Sequence, residues 1–229
     1  MGSEGFLAHF AFSIGWVHIT QSILTTWFIM MLLFLCGWLS TRKLSLQPGN
    51  GQVILEGIFS TMYEAIEEVL PEHVELVFPF VATLWVFILM ANLIGVIPGF
   101  YSPTADLSVT AALAIMTFLS VHWFGIRTEG VRGYLNHYMT PTPFLLPFHL
   151  ISELSRTVAL AVRLFGNVMS LQLTALIVLM IAGFLAPIPI LMLHIIEATI
   201  QAYIFGMLAL IYIAGGIQSQ ELRKQGESL

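Results

Sequence analysis

Arg163, in the run Thr157-Val-Ala-Leu-Ala-Val-Arg-Leu-Phe-Gly-Asn-Val-Met, is a permanent cation near the middle of a long apolar stretch. A guanidinium cannot shed its proton to escape hydrocarbon. Near a bilayer centre it costs from about 3 to more than 10 kcal/mol, and such a residue belongs by default to an ion or substrate pathway. On a helical wheel of about 100° per residue, Ser152, Arg156, Asn167, Ser170 and Thr174 all fall within about 40° of it and form a polar stripe. Glu153 lies to one side of that stripe, and Gln172 points to the opposite face. Further along, His194, Glu197 and Gln201 follow i, i+3, i+7 spacing and share one helix face. A row of titratable and hydrogen-bonding groups of this kind suits a proton relay or an aqueous half-channel.

Two other chemistries can be weighed against a pathway. His149 with Glu153, and His194 with Glu197, stand one turn apart and carry donors suited to a metal. The chain has no His-Glu-x-x-His run, however, and a fixed Arg163 nearby repels a cation. Neither a metal nor any other cofactor is therefore expected, nor is nucleic acid as a partner. A self-contained secondary transporter is the other alternative, but the spans show no internal repeat and no broken helices at matched positions.

The elements that must position these residues are membrane helices. With 58% apolar residues, 9% charged residues and a mean hydropathy of +0.90, the 229-residue chain is far outside the soluble norm and reads as polytopic. Cys36 stands alone inside an apolar run, so an intrachain disulfide is excluded and a buried, inert thiol is expected. The N-terminus shows neither a basic n-region nor a small-residue cleavage site, which argues against a removable signal peptide.

The first span is expected over residues 16–40, with Ile23 to Leu39 extended back through Trp16 because a crossing takes about 20 residues. Residues 76–97 and 107–126 form the second and third spans, joined by the turn-rich Pro98-Gly-Phe-Tyr-Ser-Pro-Thr. Between the first two, residues 53–72 alternate Ile54, Leu55, Ile58, Phe59, Met62, Tyr63, Ile66 and Leu70 with Glu56, Glu64, Glu67 and Glu68 at helical spacing, an amphipathic surface helix. Its acidic face is poorly suited to anionic lipid. Lys and Arg cluster after span one, after span three and at the C-terminus, which puts those points in the cytoplasm and the N-terminus outside.

The last two apolar stretches are too long for upright crossings. Residues 147–186 would make a helix of roughly 58 Å, and 189–222 one of roughly 50 Å, against about 30 Å of hydrocarbon. Ordinary tilts of about 20° cannot absorb that excess. The chain is thus expected to be an all-α polytopic membrane protein forming one membrane domain over 1–229. It comprises three upright spans, one amphipathic surface helix, and a steeply tilted hairpin of two long helices turning near Gly183 to Pro189.

Ser155-Arg-Thr-Val-Ala-Leu-Ala-Val-Arg-Leu-Phe-Gly-Asn and Ile200-Gln-Ala-Tyr-Ile-Phe resemble the signature of subunit a of the F-type rotary ATP synthases. Asn92-Leu-Ile-Gly-Val-Ile-Pro-Gly and Pro103-Thr-Ala-Asp-Leu-Ser-Val-Thr are similar to that family's second and third spans, so the likeness runs from about residue 75 onward. The resemblance implies a non-catalytic, ion-translocating stator subunit of the bacterial plasma (inner) membrane. Its implied partners are membrane lipid, a rotating ring of c subunits and b-type peripheral stalk subunits, and it has no ATP site of its own. It implies that Arg163 faces the carboxylate of each passing c subunit and separates two half-channels. By the same analogy Asn167, Gln201 and His194 belong to the outer half-channel. His149, Ser152, Glu153 and Arg156 are candidates for the inner one. The resemblance also marks a departure at Gln172, where many bacterial relatives carry Glu and mitochondrial ones His, and Glu197 is expected to supply the missing carboxylate. Thr157 stands where Pro is common, so the helix should run unbroken there. The ion implied is the proton, with sodium left open by Gln172.

Overall fold

The computed structural model describes residues 10–14, 17–42, 49–97, 100–139, 146–183 and 186–227. Six helices dominate: α1 (Gln21–Thr41), α2 (Asn50–Val69), α3 (Val74–Leu93), α4 (Leu107–Met139), α5 (Leu146–Ala182) and α6 (Ile188–Glu227). Five helical segments are long and apolar enough to cross a membrane: Gln21–Thr41, Pro71–Val96, Leu107–Thr128, Ile151–Ala182 and Ile188–Ile217. The protein is all-α and polytopic.

The N-terminal boundary differs from the sequence expectation. The first helix does not start at Trp16. A short antiparallel hairpin, β1 (Phe10–Ile14) and β2 (Val17–Thr20), occupies that ground, and the helix begins at Gln21. The segment Val17-His-Ile-Thr is β-branched at three of its four positions, which favours extended backbone over helix. Helix α1 buries only Thr25 and Ile29 against the described chain. Cys36 is consequently exposed on its surface rather than buried.

Helix α2 leaves Val53, Ile54, Leu55, Ile58, Phe59 and Tyr63 exposed, buries Ile66 in the core with Met62 packed beside it, and sets the Phe59 and Tyr63 rings against Phe78. The helix stops at Val69, short of residue 72, because Pro71 opens a separate 3-10 turn, Pro71–His73. Asp106 caps α4 by accepting a hydrogen bond from the Ser108 amide at 2.9 Å. Beyond Thr128 the helical run continues to Met139 across a kink at Gly130, whose φ of 77° is the left-handed region that glycine tolerates. Helix α5 is unbroken at Thr157, whose hydroxyl donates to the Glu153 carbonyl at 3.0 Å. It ends at Ala182, four residues before the expected limit, because Gly183 takes up a φ of 83°.

The core lies between α3, α4 and α6. Val77, Val81 and Trp85 pack against Val121, Phe124, Leu210, Ile213 and Ile217; Ile66 seals the end near α2. A second cluster joins Leu84 and Ile88 to Leu160, Leu164 and Phe205, which fastens α5 to this frame by one face. The tightest approach is at Gly206. The Trp85 indole lies flat against α6 there, in the space a Cβ would take, and it donates a hydrogen bond to the Tyr203 carbonyl at 3.1 Å. Its ring stacks on that of Tyr203 at 6.0 Å and 8°. Gly206→Ala is therefore expected to push α3 and α6 apart at a cost of about 1–3 kcal/mol. A lowered thermal midpoint of the detergent-solubilised protein is the expected reading, and an unchanged midpoint would refute the close-packing account.

Candidate functional site

Asn92 is an amide in the last, apolar turns of α3 and is fully buried. Around it Ser102 Oγ donates to the Ala91 carbonyl at 2.7 Å, Ser102 and Thr104 hydroxyls meet at 2.7 Å, and Thr104 Oγ1 lies 2.6 Å from the Asn92 amide. Counting protons fixes the direction of this chain. If Thr104 donated to Asn92 Oδ1, both hydroxyl protons would be spent and the contact between the hydroxyls would have none, while Asn92 Nδ2 would be buried without a partner. With the amide turned over, Nδ2–H donates to Thr104, Thr104 to Ser102, and Ser102 to the Ala91 carbonyl. The chain then has a proton for each of its three contacts, while the other end of the buried amide has no partner among the described residues.

The other face of Asn92 opens on a cleft of about 180 Å³ lined by Asn92, Asn167, Val168, Leu171, His194, Glu197, Ala198 and Gln201. His194 is 4% exposed, and its Nε2 lies 3.2 Å from the Asn92 main-chain carbonyl. A carbonyl can only accept, so the neutral ring carries its proton on Nε2 and keeps Nδ1 as an acceptor. Asn167 Nδ2 donates to Gln201 Oε1 at 2.7 Å, which ties α5 to α6. Gln201 is 3% exposed, and its Nε2 has no partner among the described residues. The unsatisfied amide of Gln201 and the half-buried carboxylate of Glu197 thus border the same cleft.

The structure thus brings Asn167, His194, Glu197 and Gln201 together, and adds Asn92, Ser102 and Thr104, which wheel reasoning missed. Their signal was present: an Asn flanked by apolar residues in a span is expensive unless partnered. What the sequence could not show was that a turn 10 residues later in the chain supplies the partners. Gln172 does not join this cleft. Its side chain reaches the turn after α3, where a Cβ on Gly95 would meet Ser102 Cβ at 2.9 Å and Gln172 Nε2 at 3.2 Å.

Arg163 lies one turn before Asn167 on the open face of α5 and is exposed. Among the described residues it has no carboxylate at ion-pair distance. Ser152, Arg156, Ser170 and Thr174 share that open face, and the Arg156 guanidinium stands 5.5 Å over the Tyr212 ring. Glu153 turns away from them, half-buried, with Oε2 at 3.8 Å from His122 Nε2 of α4. The side chain of His149 falls outside the described residues.

A polytopic all-helical fold that exposes an intramembrane arginine beside a buried polar cleft defines an ion-conducting membrane subunit. The profile of the ATP synthase A chain family matches residues 23–214. The chain is 80% identical, over the whole of both chains, to ATP synthase subunit a of Legionella pneumophila (strain Philadelphia 1). It is 60% identical over 93% of both chains to ATP synthase subunit a 2 of Pelobacter propionicus, and 42% identical to ATP synthase subunit a of Moorella thermoacetica over 89% of this chain and 93% of that one. The chain belongs to the ATP synthase subunit a family, the ion-channel stator of the membrane sector.

Thr104→Val keeps volume but breaks the hydroxyl chain and strands the Asn92 amide, at about 1–3 kcal/mol. A fall of several degrees in the thermal midpoint, restored by Thr104→Ser, is expected; no change would show that the chain of hydroxyls is idle.

Proposed function

We propose that Arg163 is the stator charge that meets the essential carboxylate of each c subunit as the ring passes α5 and α6. The observation that carries this is its position: a guanidinium on an open intramembrane face, with no carboxylate at ion-pair distance among the described residues. A cation presented to hydrocarbon needs an anion from outside the chain. Opposite Arg163, a ring carboxylate is favoured in its ionised form, so its ion leaves before the site passes. The same charge repels an ion that would slip directly between the two half-channels.

On this reading the cleft of Asn167, His194, Glu197 and Gln201 belongs to the outer half-channel. Glu197 is the titratable group that Gln172 cannot be, and His194 Nδ1 is free to accept a proton from it or from water. Ser152, Glu153, Arg156 and, by sequence position, His149 are the candidates for the approach from the inner side. The Lys and Arg pattern supports an N-terminus outside and a C-terminus in the cytoplasm of a bacterial inner membrane. The two long helices, α5 and α6, lie inclined so that both half-channels end near mid-bilayer. A b-type stalk subunit holds the assembly against the ring. Each proton that crosses releases roughly 2.3 kcal/mol per 100 mV, which the ring converts to rotation.

Arg163→Ala is expected to abolish proton-driven ATP synthesis in membrane vesicles while the complex still assembles. Arg163→Lys should be severely impaired as well, because the compact ammonium lacks the planar fork. Retained coupling in Arg163→Ala would overturn the stator assignment. For the cleft, Glu197→Gln is expected to slow synthesis strongly; a normal rate would return Glu197 to a packing role.

A further inference from the structure

Arg156 is the second cation of the polar stripe, and the role given to Arg163 leaves it without a task. It stands two turns before Arg163, about 10 Å away along α5 and within about 20° of it on the wheel. Both residues are exposed on the open face. Between them the stripe carries only Ala159, small and exposed, so a neighbouring helix can pass close to both cations. The Arg156 guanidinium lies over the Tyr212 ring, 5.5 Å from its centroid, and Tyr212 packs in turn against the core between α3, α4 and α6. A ring holds a cation in place without neutralising it. No carboxylate among the described residues stands at ion-pair distance from Arg156. Glu153, one turn earlier on α5, is half-buried with Oε2 3.8 Å from His122 Nε2 of α4, and Arg127 is exposed at the end of that crossing. Tyr212 is the titratable group of α6 that faces Arg156.

We infer that Arg156 is a second stator charge, which receives the newly ionised ring carboxylate on the inner side and passes it to Arg163, with Tyr212 as its positioning residue. This deepens the function proposed above and rests on it. A ring site that arrives from lipid is neutral. At the inner half-channel its carboxyl O–H bond breaks, the proton goes to water on the cytoplasmic side, and a carboxylate is left where a bare charge is costly. Arg163 alone cannot cover that passage. Coulomb attraction falls as the inverse of distance, so at about 10 Å it offers roughly 40% of what it offers at 4 Å. Arg156 stands where that attraction is weakest, near the start of the fourth crossing segment, and its position on the stripe puts both cations along one track.

The test uses the assembled ATP synthase in proteoliposomes, with synthesis rate measured against the pH of the side bearing the catalytic head. No substitution touches that head, so a profile displaced from that of the unsubstituted complex reports the membrane step. Without the Arg156 charge the ring carboxyl holds its proton more tightly on that side, and release needs a higher pH. Arg156→Gln is therefore expected to lower the rate several-fold and to move the profile to higher pH by about one unit or more. Arg156→Lys keeps the charge and should hold the profile near its original position. Tyr212→Leu removes the ring but not the cation, and should move the profile in the same direction by less. An unmoved profile in Arg156→Gln overturns the proposal whatever the rate, as does a move to lower pH or an equal displacement in Arg156→Lys. An Arg156 that serves only a lipid phosphate gives the first of these results, with a rate that follows the anionic lipid content. An unmoved profile in Tyr212→Leu overturns the part given to the ring. If Arg156→Gln fails to assemble, Arg156→Met, which keeps an apolar stem, decides by the same criteria. Arg163→Ala run in parallel separates the two levels: coupling lost there with an unmoved Arg156→Gln profile refutes this proposal alone, whereas coupling retained there refutes the reading beneath it.

Discussion

An arginine in hydrocarbon cannot become neutral, and the remainder of this structure is organised around that constraint. Many hydroxyls in the membrane helices are satisfied at home. The hydroxyls of Thr25, Thr26, Thr83, Thr117, Thr174 and Thr199 bond to carbonyls one turn back on their own helices. Asn92 joins a three-link chain with Thr104 and Ser102. Arg163 alone among the residues of the polar stripe is a full charge with neither a ring nor a carboxylate beside it in the described chain. An unpaired buried ion costs several kcal/mol, so its exposure on an open face is a statement about what must stand opposite.

That requirement explains a division of labour between the two sides of α5. One side, with Leu160, Leu164 and Val168, is buried against α3, α4 and α6 and fixes the helix. The other presents Val158, Val162, Gly166 and the polar stripe. Asn167 stands at the border between them. It lies one turn from the exposed guanidinium and reaches back to Gln201, so the polar interior begins where the open face ends.

Much of this was legible in the residues. Helical periodicity and apolar run lengths give all five crossing segments, and the long gap between prolines gives the two oversized helices. His194, Glu197 and Gln201 declare a shared face by spacing alone. What stayed hidden depends on contacts between elements far apart in sequence. Ser102 and Thr104 look like ordinary turn residues until the turn folds onto the end of α3. Gln172 sits opposite the stripe on the wheel, yet nothing in its spacing says that it would lie against Gly95. His122 is a lone histidine in an apolar helix until α5 brings Glu153 to it. The N-terminal hairpin was hidden for a different reason: apolar β-branched residues before a helix fit either state, and pairing decides.

The close seat of Trp85 against Gly206 has a mechanical meaning. A stationary part that faces a turning rotor feels a sideways push of equal size and opposite sense. Residues of α6 that line the cleft cannot hold their alignment if their helix slides under that load. An indole wedged where a side chain would be, and bonded to the Tyr203 carbonyl, works as a key in its slot: it resists slip along the helix axis and passes the thrust into α3. A residue with no titratable group thereby holds the register of the helix that carries His194, Glu197 and Gln201.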